Sequence, residues 1–218
     1  MPVAARRPRA PQATLVLLVR HGLTPTTGVV LPGRAPGLHL SDEGRRQADD
    51  LAKRLAAIDR IAAVYASPLE RARETAAPLA AARRQAVRIE RGLLECDFGR
   101  WTGERLDKLA RAPEWAIVQR HPSGFRFPGG ESFVEMQARI VSAIAALVER
   151  HRGETIIAVS HADPIKAAVS HALGAPLDCF QRVMIAPASV TAVAYRPLGA
   201  TVLTVNAVDG DFASLVKR

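Results

Sequence analysis

The stretch LVLLVRHGLT, residues 15–24, decides the fold because an apolar run ends in it directly on polar residues. Residues 15–19 are short, apolar and include branched side chains, as in a strand buried on both faces. Arg20, His21 and Gly22 follow with no polar lead-in. The stretch therefore predicts a buried strand that carries a cation and an imidazole at its carboxyl end.

Strand-like and helix-like segments alternate along the rest of the chain. Residues 61–66 and 155–160 repeat the short apolar pattern, and the intervening segments have apolar residues at helical spacing. Residues 189–195 and 200–208 predict a hairpin that closes the sheet. The alternation predicts a single α/β layered domain over residues 14–218, preceded by a flexible basic tail over residues 1–13.

Several helix starts can be predicted from capping residues. Ser41 and Asp163 are expected to cap the helices that follow them, and Ser67 with Glu70 is expected to form a capping box. The segment 131–151 predicts a long amphipathic helix. Its apolar face is expected to pack in the core: Phe133, Met136, Ile140, Ile144 and Leu147.

Composition excludes several classes of protein. Of the 218 residues, 48% are hydrophobic and 23% charged, as in a soluble globular domain, and no apolar run is long enough to span a membrane. Cys96 and Cys179 lack CxxC spacing, which favours a reducing cytoplasm. The net charge of +9 is dispersed rather than striped, so we predict no nucleic-acid partner and attribute the Ala- and Arg-rich composition to a GC-rich bacterial genome.

Three predicted strands end in polar residues and continue directly into a loop or helix. The first ends at Arg20-His21, the second at Ser67 with Arg71 following, and the third at Ser160-His161. Ligands of open α/β sheets bind at the carboxyl ends of the strands. The three strand ends are therefore expected to converge on one site.

Five blocks occurring in order make the chain similar to the histidine phosphatase superfamily, the phosphoglycerate mutase-like proteins. The resemblance runs from about residue 15 to residue 193. "RHG" alone is a weak signal, whereas five blocks in order are a specific one. The blocks are RHGLT (20–24), SPLERARETA (67–76), LLECDFGRWTG (93–103), FPGGES (127–132) and VSHAD (159–163).

The resemblance implies a three-layer α/β/α sandwich with a mostly parallel central sheet and a phosphohistidine intermediate. It implies that His21 is the nucleophile, with His161 as the second histidine. Arg20 and Arg71 match the arginines that bind the phosphate. Glu95 matches the acid that follows the Leu pair of the third block.

Two positions depart from the family pattern. Many members have Asn where this chain has Thr27, and a threonine hydroxyl can still donate one hydrogen bond to phosphate. Asp163 stands where the family often has Gly, and we interpret it as a helix cap rather than a substrate contact.

These residue types suit phosphoryl transfer, in which catalysis is mainly positioning and electrostatics. An arginine fork binds two phosphate oxygens at once, and neutral imidazole is a competent nucleophile near pH 7. His161, protonated or donating, would stabilise equatorial phosphate oxygens. Glu95 would protonate the leaving alkoxide and, as a carboxylate, would later activate water.

The sequence predicts neither a metal nor another cofactor. Its six histidines show no HxH or HExxH spacing, and no Asp cluster accompanies them. The expected partner is a small phosphorylated metabolite, with no nucleic acid and no membrane, and the expected assembly is a monomer or homodimer. His121 and Arg126 lie between Glu95 and the GGES residues of the fourth block, in what we call the variable segment. The non-phosphate part of a substrate would be recognised there.

Three functions remain open at the level of sequence. The favoured one is a metal-independent phosphatase that hydrolyses a small phosphomonoester. The alternative enzyme is a mutase of the phosphoglycerate mutase type. Mutases of the superfamily generally have a longer, Arg-rich insert, whereas the segment Cys96–Pro128 is short and has no Arg-Arg pair. The third is a non-catalytic phosphate-binding protein, which the intact set of charged residues and histidines disfavours.

Overall fold

A computed structural model describes residues 12–210 and residue 212 of the protein. The first strand begins at Thr14. Residues 1–11 of the predicted basic tail lie outside the described residues.

The described residues form a six-stranded sheet in the order β3-β2-β4-β1-β5-β6. Strands β1 to β4 are mutually parallel where they pair, and β5 is antiparallel to both of its neighbours. The mostly parallel sheet and the final hairpin are thus confirmed. The strands are β1 Thr14–Arg20, β2 Ala63–Ala66, β3 Val87–Ile89, β4 Thr155–Ser160, β5 Val190–Arg196 and β6 Gly199–Ala207.

Helices cover both faces of this sheet. The helices are α1 Asp42–Leu55, α2 Glu70–Ala81, α3 Leu106–Leu109, α4 Pro113–Arg120, α5 Phe133–Arg150 and α6 Ala162–Ala172. Four short 3₁₀ turns accompany them: Arg91–Leu93, Gly99–Trp101, Pro122–Gly124 and Leu177–Arg182. No helix in the described part of the chain is long and apolar enough to cross a membrane.

The opening strand is buried on both faces, and its alternate residues enter two separate cores. Leu15, Leu17 and Val19 pack in the cluster that contains the apolar faces of α1 and α2. Val16 and Leu18 pack in the cluster that contains those of α5 and α6. This alternation follows from the two-residue period of a strand and confirms the three-layer α/β/α sandwich.

The long helix α5 forms as its sequence predicts. Ser132 accepts a hydrogen bond from the Glu135 backbone N–H, and the Glu135 side chain bonds back to the Ser132 N–H, which completes a capping box. All five residues of its predicted apolar face are buried: Phe133, Met136, Ile140, Ile144 and Leu147. The Ser41 cap of α1 is also confirmed, since its side chain accepts from the Gly44 N–H.

The predicted capping box at Ser67 is wrong. Helix α2 begins at Glu70, and Leu69 occupies the cap position with extended backbone angles and no side-chain cap. The Ser67 hydroxyl instead lies 2.8 Å from Nε2 of His161. The Ser67 hydroxyl, which the local sequence pattern predicts as a helix cap, therefore contacts His161 at the sheet edge instead.

The predicted cap at Asp163 is wrong as well. His161 occupies the cap position of α6, and Asp163 lies inside the first turn. There its carboxylate is 3.3 Å from the ammonium group of Lys166. A carboxylate in the first turn still complements the positive end of the helix dipole, so the residue suits a helix start without capping it.

Candidate active site

The carboxyl ends of three strands meet at one place on the sheet edge. Arg20 at the end of β1 is in register with Ser160 at the end of β4. The His21 N–H donates to the Ser160 carbonyl over 3.1 Å, and the Ser67 N–H donates to the Val159 carbonyl over 2.9 Å. Backbone pairing thus continues past the strand ends and brings the polar residues together.

His21 is buried, with 6% of its surface exposed, and its orientation is fixed by its own loop. Nδ1 lies 2.7 Å from the Gly22 carbonyl, which can only accept, so Nδ1 carries the proton of the neutral ring. Burial, and then the charges of Arg71 and Arg20, hold the pKa of His21 well below its usual value. Nε2 is therefore unprotonated near neutral pH and carries a lone pair.

Gly22 allows the loop to pack against helix α1. A Cβ at this position would lie 2.5 Å from the carbonyl oxygen of Gly44, a distance that real Cβ contacts do not reach. The Gly22 N–H also donates to the Thr75 hydroxyl over 3.0 Å. The glycine of the RHG block is thus required by its close backbone approach to α1, and its N–H ties the same loop to α2.

Arg71 and Arg20 supply the positive charge of the site. Arg71 is fully buried; Nε donates to Nε2 of His21 over 3.2 Å, and Nη2 donates to the Gly33 carbonyl over 2.8 Å. Nη1 of Arg20 donates to the Ile185 carbonyl over 2.6 Å. Burial lowers the pKa of both arginines, yet a guanidinium remains charged in proteins.

The second histidine completes the cluster. His161 is fully buried, and its ring centroid lies 5.2 Å from that of His21. Burial, and then the charge of Arg71, hold its pKa well below the usual value, so the ring is neutral. The Ser67 hydroxyl also accepts a long hydrogen bond, 3.4 Å, from the Leu69 N–H. When the Ser67 hydroxyl donates to Nε2 of His161, the proton of the neutral histidine lies on Nδ1.

Three buried side-chain nitrogens at this site have no partner among the described residues. They are Arg20 Nε, Arg71 Nη1 and His161 Nδ1. A buried polar atom without a hydrogen bond costs free energy, on the order of 1–3 kcal/mol for each group. Their coincidence beside His21 indicates a binding site for an anion with several acceptor oxygens.

Glu95 is the titratable acid of the site. It is buried, with 8% of its surface exposed, and Oε1 accepts from the Cys96 N–H over 2.9 Å. Burial, reinforced by the negative charge of Asp163, raises the pKa of Glu95 to about 7. The opposing charges of Arg71 and Arg20 lower it less. Near pH 7 this carboxyl can therefore both give and take a proton.

Thr27 contacts its own loop. Its hydroxyl accepts from the Thr24 N–H over 3.0 Å and lies 2.9 Å from the Thr24 hydroxyl. No hydrogen bond joins it to His21 or Arg71 in the described part of the chain. The structure thus brings together five of the six predicted residues and leaves Thr27 bonded within the adjoining turn.

The variable segment lines a groove that contains none of the predicted catalytic or phosphate-binding residues. A cavity of about 860 Å³ is lined by this segment, including Trp101, Phe125 and Arg126. Arg126 is ion-paired with Glu135, and His121 lies 3.2 Å from the Asp178 carboxylate. Neither predicted recognition residue contacts the histidine cluster directly.

Sequence reasoning missed the contact of Ser67 with His161 and the contribution of Gly33. Ser67 lies inside a recognised block, so its position was visible, but a capping pattern hid its bond to His161. Gly33 has no sequence signal for its part, because it contributes a backbone carbonyl. No group of three or more His, Cys, Asp or Glu in the described residues is placed to hold a metal ion.

The fold and the site geometry together define the class of this protein. It is an α/β/α sandwich with a buried anion site, built on a neutral histidine, at the carboxyl edge of its sheet. The chain belongs to the histidine phosphatase superfamily: the family model "Histidine phosphatase superfamily (branch 1)" matches residues 16–208.

Relatives and a solved structure agree with this membership. Phosphoserine phosphatase 1 of Hydrogenobacter thermophilus is 30% identical over 178 residues, covering 76% of this chain and 79% of the relative. The probable phosphoglycerate mutase GpmB of Klebsiella pneumoniae is 31% identical over 184 residues, covering 83% and 85%. The structure of mycobacterial glucosyl-3-phosphoglycerate phosphatase Rv2419c superposes with a TM-score of 0.80 at 25% identity, covering 90% of this chain and 100% of the other. The relatives thus include both phosphatases and mutase-like enzymes.

Proposed function

We propose that the protein is a phosphatase that hydrolyses a small phosphomonoester through a phosphohistidine on His21. The observation that carries the proposal is the set of three unpartnered buried nitrogens, those of Arg20, Arg71 and His161, around an unprotonated imidazole nitrogen. A phosphoryl group has the charge and the acceptor oxygens to satisfy all three.

In the first step, the Nε2 lone pair of His21 attacks phosphorus. The N–P bond forms as the ester P–O bond breaks, and the electron pair of that bond moves to the leaving oxygen. Glu95 in its protonated form donates to this oxygen, so an alcohol leaves rather than an alkoxide. Arg20, Arg71 and His161 donate to the remaining phosphate oxygens and stabilise the transition state.

In the second step, water attacks phosphohistidine. Glu95, now a carboxylate, takes a proton from the water as the new P–O bond forms and the N–P bond breaks. Inorganic phosphate leaves, while His21 regains its lone pair and Glu95 its proton. A carboxyl with a pKa of about 7 suits both roles, because each form is populated near neutral pH.

The substrate class can be tested with a panel of phosphorylated metabolites. Phosphoserine and glucosyl-3-phosphoglycerate head the panel, because relatives with this fold are named for those substrates. Release of inorganic phosphate from at least one small monoester is expected. Tight binding of phosphate or vanadate without any turnover would instead indicate the non-catalytic binding protein.

We expect activity to be independent of metal ions. Arg20 and Arg71 already provide the positive charge that a divalent ion supplies elsewhere. Exhaustive chelation followed by gel filtration should leave the rate of phosphate release unchanged, with the untreated enzyme as control. A loss of activity that one divalent ion restores would contradict this expectation.

We expect hydrolysis to exceed mutase activity. The segment between Glu95 and the GGES block is short and has no Arg-Arg pair to retain a phosphorylated product, although the mutase-like relative keeps isomerisation as the second candidate. Given 3-phosphoglycerate with its bisphosphate primer, the protein should release phosphate faster than it forms 2-phosphoglycerate. Isomerisation faster than phosphate release would reverse the ranking.

A further inference from the structure

We propose that Arg139 and Arg34, joined by Glu131, form a clamp on the backbone of Glu95 that positions the general acid. This inference rests on the proposed function, because it assigns to these residues a role through Glu95. None of the three contacts the reacting atoms in the proposed mechanism, so they are positioning residues.

The backbone at Glu95 has no regular secondary structure to hold it. Glu95 lies in an irregular stretch between the 3₁₀ turns Arg91–Leu93 and Gly99–Trp101. Its carbonyl oxygen accepts from Nε of Arg34 over 2.8 Å and from Nη2 of Arg139 over 3.2 Å. Two side-chain cations from distant parts of the chain thus replace the missing backbone partners.

Arg139 fixes more than this one carbonyl. Its Nη1 donates to the carbonyls of Gly92 and Leu94, each over 2.8 Å. One guanidinium group therefore binds three carbonyl oxygens within four consecutive residues that end at Glu95. Because Arg139 extends from the middle of the long helix α5, the stretch is anchored to a rigid element.

Glu131 ties the two arginines together. It accepts from Nε and Nη2 of Arg139 over 2.9 and 3.0 Å, a bidentate pair. Its Oε2 also lies 2.7 Å from Nη2 of Arg34 and accepts from the Asp97 N–H over 3.1 Å. Side chains of Arg139 and Glu131 are only 21% and 18% exposed, so solvent weakens this network less than it would a surface pair.

The clamp controls the carboxyl group through the backbone. Oε1 of Glu95 accepts from the N–H of the next residue, Cys96, so the carboxyl follows any shift of that peptide. A misplacement of about 1 Å can cost roughly 100-fold in rate even when the mutated residue lies away from the chemistry. Loss of an arginine should therefore impair the acid while leaving the phosphate-binding residues in place.

The test is a double-mutant cycle of Arg139→Gln with Glu95→Gln, on an alkyl phosphate substrate and on 4-nitrophenyl phosphate. Arg139→Gln alone should lower kcat on the alkyl substrate by about 10- to 100-fold, and should lower the burst rate of 4-nitrophenol release, a step that needs no acid, by less than about threefold. In the Glu95→Gln background it should cause no further loss, because the acid is already removed. Arg152→Gln, which removes an exposed arginine paired with Glu149, is the matched control and should change neither rate.

Losses that multiply in the cycle, or a loss of 4-nitrophenol burst rate as large as the loss on the alkyl substrate, would overturn the clamp and assign Arg139 to the fold alone. Arg34→Gln is the second variant and should give the same pattern if Arg139→Gln does not fold. If the unmutated, folded protein shows no phosphatase activity, the proposed function is refuted. The clamp is then tested separately, by measuring the pKa of Glu95 with carbon-13 NMR. In Arg139→Gln or Arg34→Gln the stretch that holds Glu95 should loosen and admit water, so the pKa of Glu95 should fall from about 7 towards its ordinary range. An unchanged pKa would refute the clamp.

Discussion

Replacing His21 by alanine should lower the rate of phosphate release by at least about 10⁴-fold, the scale of loss when a covalent nucleophile is removed. Nε2 of His21 is unprotonated, buried and beside Arg71, and no other described side chain at the site has a nucleophile in that position. The measurement is kcat on the best monoester of the substrate panel.

The control for this variant is His171→Ala, which removes an exposed histidine from helix α6. It should keep normal activity. Vanadate or phosphate binding checks the site itself, because Arg20, Arg71 and His161 remain in His21→Ala and should still bind an anion. Near-normal turnover by His21→Ala would remove His21 from the nucleophile role.

Replacing Glu95 by glutamine should lower kcat on alkyl phosphates by roughly 10²–10⁴-fold, the usual contribution of a general acid. The amide keeps the shape of the side chain and removes the proton that the leaving oxygen needs. Transfer from an aryl phosphate to His21 should hardly change, because a phenol leaves without protonation. Water attack on phosphohistidine then becomes limiting, and a burst of phenol should precede the steady state.

Equal losses in the rate of phosphoryl transfer to His21 from alkyl and aryl substrates would contradict the acid role of Glu95, since phosphate binding is common to both. His161 would then be the next candidate for the acid. It is buried, its ring lies 5.2 Å from that of His21, and a neutral imidazole carries one proton that it can donate.

The pH dependence follows from the same carboxyl group. Glu95 must be protonated to assist an alkyl leaving group, and its pKa is raised to about 7, so this rate should fall as the pH rises through 7. The pKa of His21 is lowered, so the nucleophile stays unprotonated down to pH values below 6.5. The alkaline fall should disappear from the burst rate with an aryl phosphate, where no acid is required.

The fold was largely predictable because strand periodicity and strand ends are local signals. Residues 15–24 already show a strand buried on both faces that ends on Arg20 and His21. The same logic placed Ser160 and His161 at the neighbouring edge, and the register of β1 with β4 brings the two ends together. Convergence of strand ends needs no knowledge of side-chain contacts.

What the sequence could not predict depends on contacts between distant segments. The cap at Ser67 failed because its hydroxyl bonds to His161, 94 residues further along the chain. The cap at Asp163 failed because His161, which belongs to the site, takes the cap position. Local helix propensity cannot predict where a helix starts when contacts within the site determine which residue occupies the cap position.

The clamp on Glu95 was likewise invisible in the sequence. Arg34 and Arg139 both lie outside the five blocks, and their targets are backbone carbonyls that carry no side-chain signal. Ser132, which ends the FPGGES block, caps α5. The bidentate pairing of Glu131 with Arg139 becomes apparent only when the helix and the irregular stretch are seen together.

The most direct measurement of the central claim is to trap the phosphoenzyme with a substrate that carries a radiolabelled phosphoryl group. Rapid mixing, an alkaline quench and peptide mapping should give a base-stable, acid-labile phosphate on His21, formed at least as fast as turnover. Absence of label from His21, label on another residue, or formation slower than turnover would contradict the phosphohistidine mechanism.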